Sequence, residues 1–221
     1  MKGYPEVVSS MGLPSISMLG IYGMEEQTIA ILLSLVNQKP LLLVGAPGTA
    51  KTLLIKKLAH VLGLNFQYYD ASKALFEDIV GFPNPKTAQQ GYIQYIATPM
   101  SLWDKEIILI DELSRANPEN QNKWLEIIRE RTLMGIPLTR LKYVFAAMNP
   151  PQYAGTYPLE FALADRFSLL VDVPIPASMD KKELRRMLRM ATTENEFYPG
   201  KNGDGAVSYT HLRAHETRHE L

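Results

Sequence analysis

Short apolar runs alternate with stretches of helical periodicity over most of the chain. Residues 40–44 and 107–110 are wholly apolar, which is typical of central parallel strands that are buried on both faces. Similar runs predict strands over residues 65–69, 143–148 and 167–173, and apolar spacing predicts helices over 25–37, 51–62 and 118–131. Strands that alternate with helices predict an α/β fold, with a five-stranded parallel sheet flanked by helices.

Polar and glycine residues set the boundaries of these elements. Asn117 precedes Pro118 and is the predicted N-cap of its helix, and Gly63 is the predicted stop of helix 51–62. The segment 71–105 is long and irregular, and its alternating stretch at 92–96 is typical of one arm of a hairpin. We therefore expect this segment to be an insertion on a strand–helix crossover.

A complete Gly-x-x-x-x-Gly-Lys-Thr pattern occupies residues 45–52, directly after one predicted strand and before a predicted helix. The glycines let the loop curl so that backbone N–H groups point inward, and the helix N-terminus adds to this anion cradle. Lys51 is expected to reach the β- and γ-phosphates of a bound nucleotide, and Thr52 to hold Mg²⁺. The predicted nucleotide-binding residues are Gly45, Ala46, Pro47, Gly48, Thr49, Ala50, Lys51, Thr52 and Leu53, together with Asp111.

Two acids, Asp111 and Glu112, follow the apolar strand 107–110. In this arrangement the aspartate completes the Mg²⁺ shell with Thr52, directly or through water. The glutamate is then the general base that polarises the attacking water, a role worth typically ~10² to 10⁴ in rate. The alternative is that both acids cap a helix N-terminus. Their place behind a buried strand, well after Lys51, favours the catalytic interpretation.

Asn149 ends the predicted strand 143–148. Its amide is suited to bond both the γ-phosphate and the attacking water, which makes it a third catalytic candidate. The alternative is that Asn149, Pro150 and Pro151 form only a turn. Because the other motifs also lie at strand ends, we favour the catalytic interpretation.

Arg166 ends a short helical stretch before the last predicted strand. We expect it to be an arginine finger that enters a neighbour's nucleotide site, a role worth roughly 10³ to 10⁵ in turnover. The alternative is a surface salt bridge with Asp165 or Glu160, worth ~0 to 1 kcal/mol. Arg115 and Arg131 are weaker finger candidates that are equally suited to subunit contacts.

Composition narrows the classes of partner. The 23 basic and 23 acidic residues balance, which argues against nucleic acid or an anionic membrane as the main partner. The chain has no cysteine, so disulfides and thiolate metal sites are excluded. No signal-peptide pattern opens the chain, and no run approaches the ~18 apolar residues that span a bilayer. We therefore expect a cytoplasmic protein with no membrane partner.

The last fifteen residues, 207–221, differ in expected origin from the rest of the sequence. Residues 207–217 resemble the in-frame translation of a sequencing adapter, so we expect 207–221 to be an artefact and the natural chain to continue beyond about residue 206. His215-Glu216-Thr217-Arg218-His219 fits the His-Glu-x-x-His zinc pattern. Because the adapter accounts for His215 and Glu216, we favour the artefact over a zinc site.

Four motifs in this order resemble those of MoxR-type AAA+ ATPases. They are the phosphate loop and residues 108–116, 145–151 and 155–167, and the resemblance covers roughly residues 20–190. It implies an AAA+ large subdomain that hydrolyses ATP with Mg²⁺, forms a ring, expected to be a hexamer, with sites between subunits, and acts on client proteins in a chaperone-like role.

The resemblance also implies a domain plan. Residues 1–178 form the nucleotide-binding core, 179–206 start a helical lid or linker that is largely missing, and 207–221 are the artefact. A helical hairpin insert is implied at 92–96, and Tyr22 and Gly23 are implied neighbours of adenine. Ser114-Arg115 and Asn-Pro-Pro after the fourth strand depart from the commonest members.

Two other functions stay open. One is a nucleic-acid-directed ring NTPase motor of the restriction type, with GTP as a candidate substrate, against which the neutral charge argues. The other is a monomeric nucleotide switch or small-molecule kinase, whose turnover would not depend on protein concentration.

Overall fold

The computed structural model describes residues 16–153, 155–159, 161–175, 181 and 185. All of them lie in one compact unit, Met1–Met187, and a second unit, Leu188–Leu221, lies outside the described residues. Apart from residue 181, the predicted start of the lid at 179–183 also lies outside them, as do the tail at 207–221 and its zinc pattern.

The described residues contain strands, α-helices and three short 3₁₀-helices. The strands are β1 (Leu41–Val44), β2 (Phe66–Asp70), β3 (Phe82–Pro83), β4 (Tyr95–Ile96), β5 (Ile107–Asp111), β6 (Thr132–Leu133), β7 (Ile136–Pro137), β8 (Tyr143–Met148) and β9 (Leu169–Asp172). The α-helices are α1 (Thr28–Asn37), α2 (Lys51–Val61), α3 (Phe76–Val80), α4 (Pro85–Ala88), α5 (Pro118–Glu130) and α6 (Phe161–Ala164). The 3₁₀-helices are Ile16–Leu19, Leu102–Asp104 and Leu113–Arg115.

The five longer strands form one sheet in the order β2-β5-β8-β1-β9. Every neighbouring pair is parallel, which confirms the predicted five-stranded parallel sheet. In register, Leu42 of β1 lies opposite Ala146 of β8 and Leu170 of β9. At least one helix lies in sequence between each of these five strands and the next, so the sheet is of the α/β type that the alternating pattern predicted.

A hydrophobic layer covers each face of the sheet, because successive strand residues point to opposite faces. One layer contains Ile108 and Ile110 of β5 with Trp124 of α5. The other contains Leu109 of β5 with Leu54 of α2. Burial of each large apolar side chain stabilises the fold by roughly 1.5–3 kcal/mol, so the two layers fix the central strands between the helices.

The predicted helix boundaries agree closely with the structure. The Asn117 side chain accepts a hydrogen bond from the backbone N–H of Asn120 at 2.8 Å, which confirms the cap of α5. Gly63 has φ +64° and follows α2, and its N–H donates to the carbonyl of His60, as expected of a glycine stop. The first helix begins at Thr28, three residues later than predicted.

The insertion at 71–105 differs from the helical hairpin that the resemblance implied. Its described residues form the short helices α3 and α4 and an antiparallel pair, β3 with β4, so only the last two residues of the predicted arm at 92–96 are strand. Pro83 lies in β3, Pro85 begins α4, and Gly91, at φ +87°, follows α4, so the helices of this segment stay short. Gly81, at φ +99°, turns the chain into the hairpin.

Within the part of the chain that the structure describes, no helix is both long and apolar enough to cross a bilayer.

Candidate functional site

The candidate site lies at the carboxyl edge of the sheet, where the chain leaves three adjacent strands. β5, β8 and β1 are consecutive in the sheet and parallel, so the segments after them meet at one edge. These segments carry the phosphate loop after β1, Glu112 after β5 and Asn149 after β8. The fold thus brings together residues that are distant in sequence.

The phosphate loop is closely packed at its first glycine. A Cβ on Gly45 would lie 2.8 Å from the Cβ of Val173, closer than such atoms approach. Gly48 has φ +79° and Ala50 has φ +62°, so the loop makes two left-handed steps before α2 begins. The loop is fixed to the sheet by the Gly45 N–H, which donates to the carbonyl of Met148 at 3.1 Å.

Lys51 folds back under the loop. Its ammonium donates to the carbonyls of Gly45 at 2.7 Å and Ala46 at 2.9 Å, and lies 3.5 Å from Oδ1 of Asn149. The residue is only 7% exposed. Burial lowers the pKa of Lys51 from its ordinary value, and the negative charges of Asp111 and Glu112 oppose this shift.

Thr52 and Asp111 join the first turn of α2 to the end of β5. The Thr52 hydroxyl donates to Oδ2 of Asp111 at 2.6 Å. The other oxygen, Oδ1, accepts the backbone N–H of Glu112 at 2.8 Å. Asp111 is 8% exposed, so a hydroxyl and a carboxylate face each other in a largely enclosed position. Two hard oxygen ligands are therefore side by side.

Glu112 lies between an amide and a guanidinium. Its Oε2 accepts from Nδ2 of Asn149 at 3.1 Å and forms an ion pair with Nε of Arg115 at 3.0 Å. Since Asn149 also contacts Lys51, it connects the base candidate to the phosphate loop. The structure therefore places Lys51, Thr52, Asp111, Glu112 and Asn149 in one hydrogen-bonded group, as the strand-end argument predicted.

Comparison with known proteins identifies the family. A family model described as "ATPase family associated with various cellular activities (AAA)" matches residues 40–169, more than half of the chain. The chain belongs to the AAA ATPase family. Chaperone MoxR1 of Mycobacterium tuberculosis is 30% identical over 178 residues, which are 78% of this chain and 46% of that protein. This similarity supports the MoxR-type AAA+ ATPase that the motifs predicted.

Two further proteins are similar to this chain. The uncharacterised protein YeaC of Bacillus subtilis is 30% identical over 162 residues, 70% of this chain and 49% of that protein. The solved structure of a candidate ATPase from Cytophaga hutchinsonii aligns with a TM-score of 0.62 and 26% identity, covering 87% of this chain and 57% of that one. The chain thus spans about half the length of the curated relatives it matches.

The arginines of this AAA ATPase differ in their surroundings. Arg131 donates to the carbonyls of Leu141, Lys142 and Gln38 at 3.1, 2.5 and 2.6 Å. It therefore ties the end of α5 to the end of α1, which is a structural task. Arg166 lies between α6 and β9 as predicted, and its buried Nε has no hydrogen-bond partner among the described residues.

Sequence reasoning missed two features of the site. The first is the pairing of Arg115 with Glu112, whose spacing of three residues was the available signal. The second is Tyr68 on β2, whose pattern indicates only a core residue. Burial, and then the charges of Asp111, Asp70 and Glu112, raise the pKa of Tyr68 to about 12. Its phenol is therefore protonated at neutral pH.

Proposed function

We propose that this chain binds ATP with Mg²⁺ at the carboxyl edge of its sheet and hydrolyses it as one subunit of a ring that remodels client proteins. The observation that carries the proposal is the hydrogen-bonded group from Lys51 through Asn149 to Glu112. It connects a phosphate-binding ammonium to a base candidate. Membership of the AAA ATPase family and the similarity to a chaperone support the nucleotide and the client role.

The surroundings of Lys51 fit a triphosphate. Its ammonium is already inside the loop and bonded only to neutral groups, so phosphate oxygens are better partners than the two carbonyls of Gly45 and Ala46. The amides that follow Gly45 and the start of α2 add further donors. Burial disfavours the charged form of Lys51 in the free protein, and this makes the binding of a phosphate anion beside it more favourable.

The residues around Asp111 fit Mg²⁺. Magnesium is usually held by one or two carboxylates together with substrate phosphates and waters, rather than by a cage of protein ligands. Among the described residues there is no cluster of three or more metal-ligating side chains, and the Thr52–Asp111 oxygen pair matches the sparse arrangement. Thr52 and Asp111 would hold the ion, which when bound neutralises charge on the phosphate oxygens.

The remaining residues act on the attacking water and on the charge of the transferring phosphoryl group. Glu112 takes a proton from the attacking water as general base. Asn149 orients the water and contacts the terminal phosphate through its amide, since it already faces both Glu112 and Lys51. Arg166 is supplied by a neighbouring subunit to neutralise charge on the transferring phosphoryl group. Tyr22 and Gly23 contact the adenine ring of the nucleotide. The protein carries out this reaction in the cytoplasm.

The test measures nucleotide binding and phosphate release separately, on the purified full-length protein with Mg²⁺ and ATP. Lys51→Ala should remove nucleotide binding because the phosphate loop loses its only ammonium. Glu112→Gln should bind ATP normally and lose turnover by ~10²-fold or more, because the amide cannot accept the proton. GTP is run in parallel to define the preferred base.

Lys56→Ala is the matched control, since Lys56 lies on the exposed side of the same helix, α2. It should leave both quantities unchanged. Retained ATP binding in Lys51→Ala, or full turnover in Glu112→Gln, would overturn the proposed function.

A further inference from the structure

Two donors share a single oxygen of the Glu112 carboxylate. Nε of Arg115 lies 3.0 Å and Nδ2 of Asn149 lies 3.1 Å from Oε2. Among the described residues nothing donates to the other oxygen, Oε1. The side chains of Arg115 and Glu112 are 48% and 29% exposed, and an ion pair this open contributes only ~0 to 1 kcal/mol to stability. Stability alone is therefore a weak reason for this arrangement.

The backbone explains why these two residues meet. Glu112 has φ +55° and ψ +34°, a left-handed conformation that is uncommon outside glycine. It starts the 3₁₀ turn Leu113–Arg115, and the Arg115 N–H donates to the carbonyl of Glu112 at 2.9 Å. The ion pair between Nε of Arg115 and Oε2 of Glu112, at 3.0 Å, spans the same turn.

We propose that Arg115 is a positioning residue that acts through Glu112 of its own chain. By holding Oε2 together with Asn149, it fixes the rotamer of the carboxylate and leaves Oε1 as the oxygen that meets the attacking water. The inference rests on the proposed function, because Glu112 must be the base of ATP hydrolysis. It also replaces the expectation that Arg115 is a finger for a neighbouring site.

The first test separates positioning from folding. Arg115→Ala should lower turnover at least tenfold and up to about 10²-fold, because a misplaced base costs this much. Nucleotide affinity should stay within about twofold, since the phosphate loop is untouched. Arg115→Lys should restore most of the turnover, because one ammonium can reach one oxygen. Arg129→Ala, on the exposed end of α5, is the matched control and should match wild type.

The second test asks whether Arg115 acts through Glu112. On a Glu112→Gln background, Arg115→Ala should change the residual turnover by less than about twofold, because the two residues act as a unit. Mixing Arg115→Ala with Lys51→Ala subunits, which carry an intact Arg115, should give no rescue. Arg115→Gln keeps two of the three side-chain methylenes and removes the charge, and it replaces the alanine variant if that variant loses its fold.

Three results would overturn the inference while wild type is active. They are wild-type turnover in Arg115→Ala, an equal loss on both backgrounds, and rescue by Lys51→Ala subunits, which would mean an action across subunits. An inactive wild type would overturn the proposed function and this inference with it.

Discussion

Left-handed backbone positions mark the residues at which this chain departs from regular structure. Ala50 and Glu112, at φ +62° and +55°, adopt it without being glycine, and both lie at the candidate site. Such conformations cost of order 1–3 kcal/mol each and persist only where the surroundings over-determine them. At Glu112 the determinants are the Asp111 carboxylate that accepts its N–H and the Arg115 ion pair.

Substitution of Gly81 tests how strongly the surrounding backbone constrains one such left-handed position. It has φ +99°, and a Cβ added there would lie 2.2 Å from the carbonyl oxygen of Ile96, in the strand that pairs with β3. Gly81→Ala should therefore open the β3–β4 pair, because neither backbone can move without breaking it. Hydrogen exchange of the Asn84 N–H, which bonds the carbonyl of Gln94, should accelerate at least tenfold.

Gly91→Ala is the matched control for that experiment. Gly91 has φ +87° in the same segment, but nothing lies within 4 Å of an added Cβ. It should show only the cost of the backbone conformation, about 1–2 kcal/mol. Equal effects of the two substitutions would contradict the steric explanation.

At the scale of elements, the hairpin after α5 depends on one helix side chain. Met134 and Gly135, both at positive φ, form the turn between β6 and β7, which suits the twist of a two-residue hairpin. Glu126 of α5 accepts from the Gly135 N–H at 2.8 Å and from the Thr132 hydroxyl at 2.7 Å. The Gly135 bond, followed by those from Thr132 and Met134, lowers the pKa of Glu126 against the opposing effect of burial.

Glu126→Gln should therefore destabilise the protein by about 1–2 kcal/mol at pH 7, because charge-assisted hydrogen bonds are replaced by weaker ones. The folded pKa of Glu126 lies below its unfolded value, so its contribution is present above the unfolded pKa. It is lost as the pH falls through the folded pKa. Urea unfolding of both proteins, in steps from pH 7 into the acid range, should show the difference shrink towards zero.

Glu130→Gln is the control, since Glu130 is an exposed carboxylate at the end of the same helix. Its effect should stay within about 0.5 kcal/mol. A Glu126 difference that is independent of pH would mean that the side chain stabilises the hairpin through packing rather than through its charge.

Strand β8 and the β6–β7 hairpin show how far the sequence predicts the fold. Strand β8 was predicted over 143–148 and occurs there, because a continuous apolar run that ends at turn residues is typical of a buried strand. The β6–β7 hairpin was missed, because two-residue strands have no period and Glu126 specifies them from a helix. The resemblance gave the position of the insert, but local glycines and prolines gave it a different form.

The candidate site likewise contains some contacts that the sequence predicted and others that it did not. Lys51, Asp111 and Asn149 could be placed together from sequence, because the ends of parallel strands share an edge. The pairing of Arg115 with Glu112 was missed, because its only sequence signal was a spacing of three residues and the turn between them starts from a left-handed φ at a residue that is not glycine. The motifs thus predicted which residues form the site, whereas the orientation of the Glu112 carboxylate depended on local backbone geometry.

At the scale of the whole molecule, the proposed ring requires a contact face beside Arg166, and α6 lies just before this residue in sequence. Phe161, on this helix, is 89% exposed, and single large aromatic side chains on a surface are common at contacts between proteins. Arg166 follows the helix, and its Nε has no partner among the described residues. Both observations support a face on which the proposed ring brings Arg166 to a neighbouring nucleotide site.

Arg166→Ala should keep ATP binding and lose turnover by roughly 10³-fold, because charge on the transferring phosphoryl group is no longer neutralised. Mixing it with Lys51→Ala subunits should restore part of the activity, since these subunits bind no ATP but supply an intact arginine. Subunits that carry both substitutions are the control and should restore none. Rescue by the double variant, or failure of rescue when sedimentation shows mixed assemblies, would contradict a shared site; full activity of Arg166→Ala alone would leave the arginine with a structural role only.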